Sequence, residues 1–390
     1  MPRVVWLLVA ARSVNRLGAF TLPFLTVLLT QSFGASVGQA GLVMALFGLA
    51  TIPSRLFGGW LADHLGRRTT IVAGLVGCAA GQLLVAGATD VRQAAGAAVL
   101  LGLAFEIYES PSQAMIADVV DGPDRPAAYG LMASGLALAG MAAGLMAVAL
   151  GQVDLRLLFV ADAVSCLLCA LLVRLTLPGG RPTADASDGT ASRSPWRDRL
   201  LLALLATGTG FAVVYLQLVV TLPLTLLDRG LGAHQLGLLL TVSAATIVVG
   251  QPLLSTSLLR RHDPTTALAG GYVLLGLGLA AYGFVDSVVG FVLATVVSSL
   301  GDLVLLGRAQ AVVADLAPTA ARGRYLAVYG VSWGVAAVVG PLLGTTLFDR
   351  AGATTLWLGC AVLCSTLAVG QLLLRRPLAQ RCDARHAMPG

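Results

Sequence analysis

Lysine is absent from this 390-residue sequence, and charge of either sign is scarce: charged residues make up only 11% of the chain. Water-soluble domains carry roughly 25%, so a soluble globular protein is excluded. No polar stretch is long enough to hold a separate soluble catalytic domain. The six cysteines form no disulfide framework, because Cys78, Cys166, Cys169, Cys360 and Cys364 fall inside apolar segments, where a thiol behaves as a small hydrophobe. A metal centre and a phosphate-binding Gly-Lys loop are also missing. His64, His234, His262 and His386 all lie in loops or the tail, so no metal or cofactor is expected and ATP is not the driving force. No cleavable leader is evident, since the first apolar segment contains Arg12, Asn15 and Arg16 and runs on to Thr30.

What the chain has in abundance is apolar length. Hydrophobic residues reach 57% and the mean hydropathy is +0.86. Stretches of about 20 residues recur throughout, each able to cross a hydrocarbon layer of about 30 Å. Cutting at polar and turn-rich points predicts twelve helices, at 4–30, 38–61, 69–88, 94–117, 126–150, 156–177, 200–226, 236–259, 265–285, 288–313, 325–348 and 354–374. Transmembrane strands are excluded because the runs are too long and do not alternate. The expected fold is an all-α integral membrane protein.

The arginines orient it. With the N-terminus inside, 17 fall on the cytoplasmic side and 4, Arg92, Arg156, Arg229 and Arg350, outside. That asymmetry places both termini in the cytoplasm of a multi-pass plasma-membrane protein. The net charge of +6 is therefore a topology signal, and nucleic acid is not an expected partner.

The hydrophilic stretch 178–199 falls near the midpoint and reads as a cytoplasmic linker between six-helix bundles at 1–177 and 200–374, with a tail at 375–390. A repeat supports the cut. Gln113-Ala-Met-Ile-Ala-Asp118 followed by Arg125 returns as Gln310-Ala-Val-Val-Ala-Asp315 followed by Arg322, each shifted by 197. Thr21-Leu-Pro23 returns as Thr221-Leu-Pro223. Two parallel repeats of this kind are an architecture of alternating-access transporters.

Between helices two and three stands Gly59-Trp-Leu-Ala-Asp63-His-Leu-Gly66-Arg67-Arg68. A polar loop obeying the positive-inside rule would explain the arginines but not the spacing of Gly59, Asp63 and Gly66. The stretch resembles the signature loop of the major facilitator superfamily, and with the twelve helices the resemblance covers the whole chain. It implies a conformational latch on the cytoplasmic side. Gly59 would allow close helix packing, Asp63 would face a neighbouring helix N-terminus, and Arg67 and Arg68 would pair with it. The corresponding second loop, ending in Asp263-Pro264, is degenerate, so the latch is expected to be one-sided. Asp118 with Arg125 and Asp315 with Arg322, at matching ends of helices four and ten, extend it. The Arg12, Gly18, Pro23 pattern of helix one is similar to the drug and metabolite exporter branch. The helix-four arginine of the proton-driven exporters is missing, and Gly140-Met-Ala-Ala-Gly144 replaces their helix-five Gly-Pro motif, which appears instead as Gly340-Pro-Leu-Leu-Gly344 in helix eleven.

Several charges lie inside helices, where each costs roughly 2.5–3.5 kcal/mol at the bilayer centre. Arg12, Asn15 and Arg16 share one face of helix one, and Glu106, Glu109 and Gln113 one face of helix four. At about 1.5 Å per residue, Arg12 and Glu109 sit at about 12–13 Å depth and Arg16 and Glu106 at about 18 Å, which predicts the pairs Arg12–Glu109 and Arg16–Glu106. Asp302 in helix ten has no arginine at its depth and is the expected proton site. Asp162 is expected to hydrate at the outer surface, and Arg55 to snorkel toward the cytoplasm.

These features predict a monomeric secondary transporter, not an enzyme, with protons, a small molecule and the bilayer as its partners. Export of a hydrophobic or amphipathic compound is the preferred expectation. Symport of a small metabolite or organic anion onto Arg12, Arg16 and Asn15, or a transport-dead scaffold, are the alternatives. The arginine asymmetry is tested by single-cysteine labelling on a cysteine-free background. Positions near Arg67, Ser187 and Arg381 should react only from the cytoplasm, and positions near Asp90 and Arg229 only from outside; reversal at two of them overturns the orientation.

Overall fold

The computed structural model describes residues 1–17, 24–25, 28–151, 154–177, 179, 194–231, 233–255 and 263–386. Most of the expected linker, and Gly18, Thr21, Pro23 and residues 259–262, lie outside them. Among the described residues there are five short 3-10 or π turns, no strand and twelve α-helices. They are α1 (Arg3–Leu17), α2 (Val37–Leu65), α3 (Arg67–Gly87), α4 in two pieces (Val91–Phe105 and Glu109–Val119), α5 (Arg125–Gly151), α6 (Leu155–Thr176), α7 (Arg199–Asp228), α8 (Ala233–Gly250), α9 (Pro264–Tyr282) and α10 (Val288–Leu316). The last run, Arg322–His386, bends at Gly352, whose φ of 78° is open to glycine, and so contains α11 before the bend and α12 after it. Eight runs among the described residues are long and apolar enough to cross a membrane, and one of these holds both α11 and α12.

Two compact units form. The first contains Met1–Val120, Gly135–Ser192 and Pro318–Gly330; the second contains Asp121–Ser134, Arg193–Ala317 and Val331–Gly390. Each unit thus includes a short segment from the other half of the sequence: the start of α11 belongs to the first, the start of α5 to the second.

Within the first unit, α4 is interrupted at Glu106–Tyr108. Pro111 supplies the reason. It has no N–H to donate to the carbonyl of Ile107 four residues earlier, and its ring crowds that carbonyl. A broken helix at membrane depth must find other partners for its backbone. Ser54 Oγ of α2 accepts the Glu106 N–H at 3.1 Å, and the Glu109 N–H donates to the Glu106 carbonyl at 3.2 Å. Gly74 of α3 leaves the space for Ile107, since a Cβ there would lie 3.0 Å from the Ile107 side chain. The uninterrupted stripe of Glu106, Glu109 and Gln113 expected on one helix face is therefore split, and the two acids leave α4 toward different helices.

Within the second unit, α9 and α10 pack through glycines. A Cβ on Gly301 would sit 2.5 Å from the Leu275 nitrogen, and one on Gly278 would sit 2.5 Å from the Ser298 nitrogen. Small residues bring two backbones into direct contact in the manner of membrane helix pairs. Asp302 follows Gly301 directly and is carried into this packed region.

Candidate functional site

Three groups of polar side chains stand out against the apolar background, two in the first unit and one in the second. The first is an ion network at the junction of α2 and α3. Gly66 joins these helices with φ 91°, a conformation that favours glycine and turns the chain so that Arg67 returns toward Asp63. Asp63 accepts from Arg67 Nη1, from Arg324 Nε at 3.1 Å, and from the backbone N–H groups of Gly323 and Arg324, both at 3.2 Å. Those two amides belong to the first turn of α11, so the carboxylate meets the positive end of a helix. Arg67 Nε reaches Asp118 Oδ2 at 3.2 Å, and Asp118 Oδ1 accepts from Arg322 at 2.8 Å. The chain Arg324–Asp63–Arg67–Asp118–Arg322 results, with Asp63 and Arg67 side chains only 3% and 5% exposed. Gly59 lets α11 approach: a Cβ there would lie 2.6 Å from the Gly323 carbonyl oxygen.

Three details differ from expectation. Arg68 does not pair with Asp63 but donates to the Leu177 carbonyl at 3.3 Å, because one residue beyond Arg67 it points about 100° further round α3, toward α6. The acid–arginine pairs of the repeat exchange partners. Asp118 takes Arg322 within the first unit, whereas Arg125 pairs with Asp315 within the second. Arg324, which sequence spacing did not single out, shares Asp63 with Arg67. Among the described residues Asp263 has no such network; it caps its own helix by accepting from Thr265 and Thr266 and lies 3.6 Å from Arg375.

The second group lies along α1, α2 and α4. Arg12 pairs with Glu109, and its guanidinium stacks 4.3 Å above the Tyr108 ring. Gln113 donates to the other Glu109 oxygen at 3.0 Å. Glu106 is met by Arg55 Nη1 at 3.1 Å, not by Arg16. The break in α4 turns Glu106 toward α2, so Arg55 is held inside, 8% exposed, instead of snorkelling. The Arg55 guanidinium occupies the space left by the missing side chain of Gly330 in α11. Asn15 does not join the arginines. It donates to Cys166 Sγ at 3.2 Å, and Asp162, expected at the surface, is 3% exposed and accepts from Gln82 at 2.5 Å. Arg16 is exposed beside Gly140, with no carboxylate within ion-pair distance among the described residues.

The third group surrounds Asp302 in the second unit. The residue is 2% exposed, its Oδ1 is buried without a hydrogen-bond partner, and no cation lies within ion-pair distance among the described residues. Nearby on α8, α9 and α10, Ser298 bonds the Thr295 carbonyl at 3.1 Å, Ser299 donates to Ser243 of α8 at 2.8 Å, and Tyr282 and Thr295 share a hydrogen bond of 2.7 Å. No cluster of His, Cys, Asp and Glu suited to a metal ion occurs among the described residues.

Comparison with known proteins gives these arrangements a context. The sequence model of the Major Facilitator Superfamily matches residues 8–233 and again 218–385. An uncharacterised MFS-type transporter of Bacillus subtilis, YhjO, is 26% identical over 350 residues, 88% of this chain and 86% of that protein. A Na(+), Li(+), K(+)/H(+) antiporter of Planococcus maritimus is 24% identical, covering 82% of this chain and 83% of its own. The multidrug resistance protein MdtH of Salmonella paratyphi B is 22% identical, covering 87% and 85%. The fold is similar to that of the human organic anion transporter MFSD10, with a TM-score of 0.76 at 18% identity, over 95% of this chain and 100% of that one.

The pairing on α4 is open to a direct check. Removing one partner of a buried ion pair strands the other, at a cost of up to about 3–5 kcal/mol. Thermal unfolding of Arg55→Ala, Glu106→Ala and the double variant should therefore show the double to be less destabilised than the sum of the singles. A cycle of Arg16 with Glu106 should show coupling near zero. Equal coupling of Glu106 to Arg16 and to Arg55 would overturn the assignment.

Proposed function

Given that the chain belongs to the Major Facilitator Superfamily, and so is a multi-pass membrane transporter and not an enzyme, we propose that it exports a hydrophobic or amphipathic small molecule in exchange for protons. The observation that carries this reading is the contrast between Asp302 and the acids of α4. Glu106 and Glu109 each have an arginine, whereas Asp302 is buried with, among the described residues, neither a cation within ion-pair distance nor a hydrogen bond to Oδ1. Desolvation favours the neutral form of a carboxyl, and an adjacent arginine favours the charged form. An isolated acid in a membrane helix is thus suited to gain and lose a proton, and a paired one to hold its charge until the pair separates. Export accords with the multidrug and cation/H+ antiporter relatives, and with helices that are mostly apolar.

The network at Asp63 serves in this reading as the latch of the transport cycle, on the cytoplasmic side in the orientation proposed from the arginines. It ties the first turn of α11 to α2 and α4, while the rest of α11 belongs to the second unit. Breaking it frees that segment.

One observation favours a second reading. Arg16 is exposed within a membrane helix with no carboxylate on it among the described residues, which suits an organic anion carried in symport with protons.

Two experiments separate these ideas. Asp63→Asn should retain expression, slow turnover and change the reactivity of single cysteines placed at the ends of α2 and α11. A coupling of about 1–3 kcal/mol corresponds to a shift of about 5- to 150-fold, and unchanged transport with unchanged reactivity counts against the latch. In liposomes with an imposed pH gradient, screened with hydrophobic dyes and organic anions, Asp302→Asn should abolish gradient-driven transport while binding persists, and Glu106→Gln should impair both. If Asp302→Asn concentrates substrate at the wild-type rate, the coupling role passes to Glu106 or Glu109.

A further inference from the structure

A groove beside α3 and α6, with a volume of about 530 Å³, has Arg68, Thr69, Val72, Ala73, Val76 and Arg174 among its lining residues. Its two ends differ in chemistry. Along α3 beyond Thr69 it is apolar and open, with Ala73 exposed and Val76 46% exposed, as expected of side chains facing lipid. At the other end stand two guanidinium groups, Arg68 in the first turn of α3 and Arg174 in the last turn of α6. Because α3 begins where α6 ends, both arginines lie at one boundary of the membrane span.

Among the described residues neither arginine has a carboxylate within ion-pair distance. Arg68 donates to a backbone carbonyl, that of Leu177. The first turn of α3 adds to the positive character of this end, since its N-cap is Gly66 and no side chain caps its free N–H groups. Among the described residues the groove therefore offers a cationic mouth without a carboxylate partner, continuous with an apolar channel.

We propose that this groove binds an anionic phospholipid, with the phosphate on Arg68 and Arg174 and an acyl chain along Val72, Ala73 and Val76. Basic pockets between transmembrane helices recruit anionic head groups in this way, and guanidinium matches phosphate geometry through paired N–H donors. A zwitterionic head group brings its own ammonium against the two arginines and is disfavoured. The assignment is independent of which substrate the protein carries.

Native mass spectrometry of the purified full-length chain, titrated with dioleoyl phosphatidylglycerol and dioleoyl phosphatidylethanolamine, tests it. The wild type should retain phosphatidylglycerol preferentially. Arg174→Gln alters an exposed side chain outside the ion networks and should reduce that preference about fivefold, the contribution of one arginine near an anionic membrane surface. Ala73→Trp should fill the groove and lower retention while leaving the head-group contacts in place. Arg92→Gln, an exposed arginine at the opposite end of the spans, should change neither. Equal retention of the two lipids by the wild type, or retention unchanged by either groove substitution, overturns the proposal.

Discussion

A charge in hydrocarbon must find a partner or leave, and that constraint decides which helices of this protein touch. Even on insertion scales an arginine or acid at the bilayer centre costs about 2.5–3.5 kcal/mol. Arg12 of α1 meets Glu109, and Arg55 of α2 meets Glu106, so both arginines converge on the short, interrupted region of α4. Between the acids, Tyr108 offers its ring face to Arg12, which suits a guanidinium held away from water. The charges act as addresses for helix packing as much as sources of stability, since a buried pair roughly offsets its own desolvation.

The break in α4 shows how one residue passes its effect up through the structure. Pro111 removes the hydrogen bond to the Ile107 carbonyl, the helix opens at Glu106–Tyr108, Ser54 accepts from the Glu106 N–H, and Glu106 turns to α2. Without that interruption Glu106 and Glu109 would share a face and compete for the arginines of α1. With it they are distributed over two helices. Glycine has the complementary role: Gly59 and Gly330 admit the start of α11 and the Arg55 guanidinium, and Gly301 brings α10 onto α9.

The repeat is used twice with its partners exchanged. Asp118 and Asp315 end equivalent helices, and Arg125 and Arg322 begin the next ones, yet each acid takes the arginine from the other half of the sequence. Identical local chemistry thereby ties a segment of each half into the unit formed mainly by the other. Among the described residues the membrane-embedded charges then include a paired set on α1, α2 and α4 and an acid on α10 with no ion-pair partner. The proposed proton coupling rests on that difference.

Composition and periodicity alone determined that the chain is an all-α membrane protein of twelve helices, because apolar length and scarce charge are read directly against bilayer thickness. The loop Gly59 to Arg68 was legible in part: its glycines and charges stand at fixed local spacing and Asp63 meets a helix N-terminus, but Arg68 turns to the Leu177 carbonyl and not to Asp63. Depth along a helix paired Arg12 with Glu109 but gave Arg16 to Glu106, where the structure has Arg55. Counting residues supplies height in the membrane but not the azimuth of a side chain, and the turn imposed by Pro111 changes that azimuth. For the same reason Asp162, read as a surface acid, is buried against Gln82, and Asn15, read as part of the arginine stripe, faces Cys166. The exchange of Arg125 and Arg322, and the place of Arg324 beside Asp63, join residues 190 or more positions apart. Local rules cannot choose among equivalent partners at that separation; only the packing of the helices brings one of them within reach.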